Sequence, residues 1–187
     1  MTDDLSAPDA LEPAAEDARQ AARIQRFWEQ ARARAGMARM GAVVGTGWTE
    51  TVPPPAWAFG DTPELADALL RLVLARVKTA TAAAVWEYES AAEPLPKRGD
   101  LSVVLDGAGE PCALIRTTAV TVVPFDAVTE EHAFLEGEGD RSLAQWRADH
   151  ETYWRRTLPP LGHEFDPGMD VVCERFELLY PKRPGIF

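Results

Sequence analysis

Hydrophobic positions along the chain change period three times. From Ala14 to Ala35, Ala, Glu, Gln and Arg dominate, and Ile24, Phe27, Trp28 and Ala31 recur at helical spacing before Gly36. This pattern predicts an amphipathic helix laying an aromatic face on the body. Residues 41–63 are rich in Gly and Pro, with Trp48, Trp57 and Phe59 set among them, and Pro53-Pro54-Pro55 breaks regular structure, so an ordered loop is expected. Thr62-Pro63-Glu64 supplies a cap, a first-turn proline and a dipole-matched acid for a second helix. Its apolar face is Leu65, Leu69, Leu72 and Val73, with an end near Val77. Past Lys78 the pattern turns to β-formers: Thr79–Tyr88, Leu101–Asp106, Cys112–Val123 and Val171–Leu179 read as strands, with Gly107-Ala108-Gly109 a turn. Between the last two strands, Ser142–Arg156 returns to helical spacing. Leu143, Trp146, His150, Tyr153 and Trp154 share a face there, and Asp140 or Ser142 serves as cap. Short strands at uneven spacing with three helices predict an α+β barrel, because a doubly wound sheet needs regular βαβ alternation.

Composition sharpens this picture. The 187 residues carry a net charge of −11, and residues 1–20 hold six acids against Arg19 alone. Proteins that coat long nucleic acid present basic surfaces to neutralise phosphate. The acidic balance leaves room only for a local pocket or groove, suited to a small or single-stranded substrate, and no double-stranded DNA partner is expected. Cys112 and Cys173 are far apart and read as reduced thiols. With neither a signal peptide nor an apolar run of the ~18 residues a membrane span needs, the expected location is cytoplasmic, with no membrane partner. The expected division is a disordered acidic tail at 1–13, a packed N-terminal helix at 14–40, the barrel domain at 41–181 and a tail at 182–187.

Lys78-Thr79-Ala80-Thr81 falls at a helix-to-strand junction. A lysine there suits the helix dipole and threonines suit an opening strand; alternatively, the junction brings an amine and a hydroxyl together at a barrel mouth. Glu136-Gly137-Glu138-Gly139-Asp140 supplies acids ahead of a helix, or a carboxylate for general acid–base work. It lacks the EF-hand ligand pattern. His132, His150 and His163 form no zinc spacing with a cysteine, so no metal and no cofactor are expected. Arg98-Gly99-Asp100 reads as a turn. Trp57, Phe59, Trp86 and Tyr88 are candidates to stack on a base.

These stretches, in order, resemble one family. They are WAFGDTPELA from Trp57, KTAT from Lys78, Trp86–Tyr88, LPKRGD from Leu95, Val104–Gly107, Ile115–Thr118, EGEGD from Glu136, Trp146-Arg147, His150 and VVCERFE from Val171. The chain is similar over about residues 20–180 to the ASCH family. That resemblance implies a PUA-like β-barrel with flanking helices and a cleft, here with an N-terminal helical extension, and an association with RNA. It further implies a hydrolase acting on N(4)-acetylcytidine-like substrates, with Lys78 and Thr81 on the family's Lys-x-x-Thr pair and Glu136, or else Glu138, as its acid. In that scheme Thr81 attacks the amide carbonyl, Lys78 takes the hydroxyl proton, and Glu136 orients Lys78 or serves the leaving amine. Trp57, Trp86, Tyr88 and Arg116 are the expected substrate-binding residues. The resemblance also admits a ribonuclease on single-stranded RNA, with Glu136 or His150 as acid–base, or a non-catalytic RNA-binding module with Arg76, Lys78, Lys97, Arg98 and Arg116 along a groove.

Overall fold

The computed structural model describes residues 11–36 and 52–182. The expected loop at Trp48, most of the acidic tail and most of the C-terminal tail lie outside the described residues. Helix α1 (Leu11–Ala35) begins three residues earlier than its apolar pattern suggests. Then follow β1 (Ala56–Trp57), α2 (Pro63–Leu74), β2 (Ala80–Ala84), α3 (Val85–Ala91), β3 (Leu101–Leu105) and β4 (Pro111–Pro124). After a 3-10 turn come α4 (Glu130–Glu136), α5 (Leu143–Thr157) and β5 (Asp170–Tyr180). Among the described residues no helix is long and apolar enough to cross a membrane.

The strands form one sheet in the order β1-β3-β4-β5-β2. Only β1 and β3 run parallel; the other pairs are antiparallel. Val171 to Glu174 are all buried, so the front half of β5 is covered on both faces. Residues on one of its faces join Trp146, Trp154 and Phe125 beneath α5, whereas Phe176 and Leu178 on the other join Leu69, Leu70 and Val73 of α2. Trp28 and Ala31 of α1 close a third cluster with Val103 and Leu114. The α+β class agrees with expectation. The barrel is not closed: β1 and β2 are the two edges of an open sheet. β1 is only two residues long, and β2 passes into helix after five, so neither edge offers a ladder long enough to join the other.

Three local differences from the sequence pattern matter for the site. The strand expected over Thr79–Tyr88 stops at Ala84, because a Glu87 carboxylate oxygen accepts the Ala84 N–H at 2.6 Å and starts α3. Tertiary contacts reinforce the switch, since Trp154 Nε1 donates to Glu87 at 3.3 Å. Helix α4 is the second difference: Thr129 caps it by accepting the His132 N–H at 3.2 Å, and Gly137 ends it in the left-handed region at φ 75°. Third, α2 ends at Leu74 rather than near Val77. Arg76 adopts φ 60°, and the Val77 and Lys78 N–H groups both donate to the Leu72 carbonyl, at 2.9 and 3.1 Å.

Candidate functional site

That left-handed turn aims Lys78 inward. The Arg76 guanidinium donates to the Leu178 carbonyl at 2.9 Å and fastens the reversal to β5. The next residue, Thr79, donates its N–H to the Leu135 carbonyl at 2.8 Å, which ties the start of β2 to the last turn of α4. At this crossing Gly137 has no room for a side chain: a β-carbon there would sit 2.7 Å from the Val77 carbonyl oxygen. Lys78 and Glu136, 58 residues apart in sequence, are thereby brought face to face, each 1% exposed.

Lys78 Nζ donates to Glu136 Oε2 at 3.0 Å and to Glu138 Oε1 at 2.5 Å. Its third N–H has no acceptor among the described residues, and the ammonium lies 5.2 Å from the Phe59 ring centroid. The other Glu136 oxygen accepts Trp146 Nε1–H at 2.7 Å and His132 Nε2–H at 3.0 Å. His150 adds its Nε2 at 3.7 Å from that oxygen. Because a carbonyl only accepts, the 2.9 Å contact between His150 Nδ1 and the Trp146 carbonyl assigns the ring proton to Nδ1. The His150 ring stacks on Trp146, with centroids 4.0 Å apart.

Burial alone would drive Lys78 toward the neutral amine, but the charges of Glu136 and Glu138 outweigh it and the pKa moves up. Burial likewise opposes the Glu136 carboxylate, yet the Lys78 charge and the His132 bond hold its pKa well below the usual carboxylate range. Lys78 is a charged donor here, not a free amine. The expectation that it takes the Thr81 proton runs against this pairing.

A cavity of about 590 Å³ runs along β2, lined by Thr81, Ala82 and Ala83. Its aromatic walls are Trp57, Phe59, Tyr88 and Tyr153, and Lys78, Glu136, Glu138 and His150 also face it. The Thr81 hydroxyl makes no hydrogen bond among the described residues. Five carboxyl groups (Glu87, Glu93, Glu136, Glu138, Asp149) line the cavity against the single charge of Lys78. Of the residues singled out from sequence, Lys78, Thr81, Glu136, Trp57 and Tyr88 meet here, and so does the alternative acid Glu138. Trp86 and Arg116 do not. Trp86 stacks on His163 at 4.3 Å, away from the lining, and Arg116 is an exposed partner of Glu177 across the β4–β5 ladder. Sequence reasoning missed Tyr153, Asp149 and Glu87 as lining groups, and missed His132 and Trp146 as holders of Glu136. The signal for His132 is its i, i+4 spacing to Glu136, visible once α4 is recognised. Among the described residues, no group of three or more His, Cys, Asp or Glu is arranged to hold a metal ion.

A family model described as an ASCH domain matches residues 55–180. The crystal structure of a protein from Enterococcus faecalis V583 is similar at 31% identity and a TM-score of 0.68, covering 87% of this chain and 93% of that one. The high-resolution crystal structure of an ASCH domain from Lactobacillus crispatus JV V101 is similar at 29% identity and a TM-score of 0.65, covering 79% of this chain and 94% of that one. Among curated proteins no sequence matches.

Proposed function

Because this chain belongs to the ASCH domain family, we propose that its cavity hydrolyses the amide of an N(4)-acylated cytidine, acting on a cytoplasmic nucleoside rather than on a polynucleotide. The observation that carries the reading is the meeting of Lys78, Thr81 and Glu136, from three separate stretches, on one cavity sized for a small molecule. In this reading the sheet is a PUA-like barrel left open along β2, and the opening is the substrate slot. The base lies against Trp57 or Tyr88. Thr81, whose hydroxyl has no competing partner, attacks the acyl carbonyl. Lys78 acts as an ammonium: its unspent N–H meets the developing oxyanion, and Glu136 fixes its direction.

The lining acids weigh against phosphate-bearing substrates, and with them against a ribonuclease or an RNA groove. Three of the five basic residues considered for such a groove are already paired. Arg76 and Arg116 are engaged with Leu178 and Glu177, and Lys78 with two carboxylates. The test is to incubate purified protein with N(4)-acetylcytidine and follow cytidine by chromatography. Wild-type protein is expected to turn over and Thr81→Ala to lose at least ~100-fold; absence of wild-type turnover, or equal turnover in the variant, sinks the reading.

A further inference from the structure

One buried carboxylate takes no part in that scheme. Glu174 lies on β5, and the β2–β5 register pairs it directly with Thr81. Directly opposed residues of an antiparallel pair project to the same face, with β-carbons about 4.5–5.5 Å apart. Glu174 is 7% exposed, and its strand neighbour Thr81 lines the cavity. Glu174 Oε1 accepts the Thr117 hydroxyl at 2.6 Å. Its other oxygen has no partner, and no cation pairs with it, among the described residues.

The Thr117 bond joins β4 to β5. Those strands are already joined by a ladder from Leu114 to Pro124, and an amide would make the same bond without the cost of a desolvated carboxylate. The charge therefore calls for another use. Burial pushes the Glu174 pKa up, the Thr117 bond opposes this in part, and the charge of Asp100 adds to it. Tyr88, on the cavity wall, is pushed up to about 12 by burial first and then by the charge of Glu174, so it stays a phenol.

Resting on the amide-hydrolysis reading, we infer that Glu174 is the group that takes the Thr81 hydroxyl proton and returns it to the leaving nitrogen. The Thr81 Oγ–carbon bond forms as the proton passes to the free Glu174 oxygen, with Lys78 facing the carbonyl oxygen. The carbon–nitrogen bond then breaks, and the Glu174 proton goes to the exocyclic nitrogen of cytosine. Water attacks the Thr81 ester with Glu174 again as acceptor; the ester carbon–oxygen bond breaks, Thr81 regains its proton, and the acid leaves as carboxylate plus a proton to solvent. A carboxyl with raised affinity for protons suits this role better than Glu136, which is held in its charged form.

The test compares wild type, Glu174→Gln, Thr117→Val and Thr81→Ala on N(4)-acetylcytidine. Glu174→Gln is expected to melt cooperatively like wild type, lose about 100-fold in kcat with KM unchanged, and lose the acid limb of the wild-type pH profile. Carbon-detected NMR of glutamate-labelled protein reads the site without turnover. Glu174 should titrate above the ordinary carboxylate range, and its midpoint should move in Thr81→Val. The inference is overturned if Glu174→Gln keeps the wild-type kcat and acid limb. It is also overturned if Glu174 titrates like an exposed carboxylate, or if Glu174→Gln and Thr117→Val merely lower the melting temperature together. The two failures separate: loss of hydrolysis in Thr81→Ala with an unaffected Glu174→Gln removes only Glu174, whereas an inert wild type removes the amide-hydrolysis reading as well.

Discussion

Two buried glutamates of this domain stand in opposite electrical surroundings. Glu136 meets an ammonium, an indole N–H and an imidazole, and is held as a carboxylate. Glu174 meets one hydroxyl, and burial raises its affinity for a proton. The same side chain thus becomes a fixed counter-ion in one place and a proton acceptor in the other, and the neighbours decide which.

The comparison breaks most visibly at Lys78. Lys78→Met leaves Glu136 charged, buried and without its cation, and should cost about 3–5 kcal/mol in denaturant unfolding. Adding Glu136→Gln should recover much of that loss; a single variant as stable as wild type would show that the pair does not hold the site. Trp146→Phe removes one donor from Glu136 and should cost about 1–3 kcal/mol by the same measurement. The glutamates also predict opposite pH responses. Glu136, whose folded pKa is depressed, contributes stability that is present above its ordinary value of 4.5 and is lost as the pH falls. Glu174, whose folded pKa is raised, favours folding while protonated and loses that contribution as the pH climbs past 4.5. The melting temperature of Glu174→Gln relative to wild type should therefore rise with pH, and a flat difference would contradict the assignment. The smallest effect belongs to Arg116→Ala, about 0–1 kcal/mol for an exposed pair, with turnover unchanged.

Much of this architecture is legible in the sequence where local chemistry and tertiary packing agree. The run from Cys112 to Val123 is β-forming and packs as a strand, and Thr62-Pro63-Glu64 starts a helix that its apolar face seats on the sheet. The lysine, the threonine and the acids are readable as a set through the family likeness. What could not be read depends on contacts distant in sequence. Val85, Trp86 and Tyr88 are β-branched or aromatic, yet Glu87 reaching back to Ala84 and forward to Trp154 makes the stretch helical. Trp86 has the composition of a stacking residue, but α3 turns it to His163. Glu174 is invisible as chemistry until the register sets it opposite Thr81. The open edge has a similar origin, since strand closure depends on lengths that composition does not set.

The contact of Gly137 with the Val77 carbonyl acts as a gauge between two chain crossings. It determines how far apart the lysine and glutamate backbones lie before either side chain selects a rotamer. Trp57 and Tyr153, on the walls of the hollow, belong to β1 and α5, so a change of size there would alter the space for a guest without touching that crossing. A methyl group added at residue 137 would do the reverse, altering the separation of the reactive groups while removing none of them.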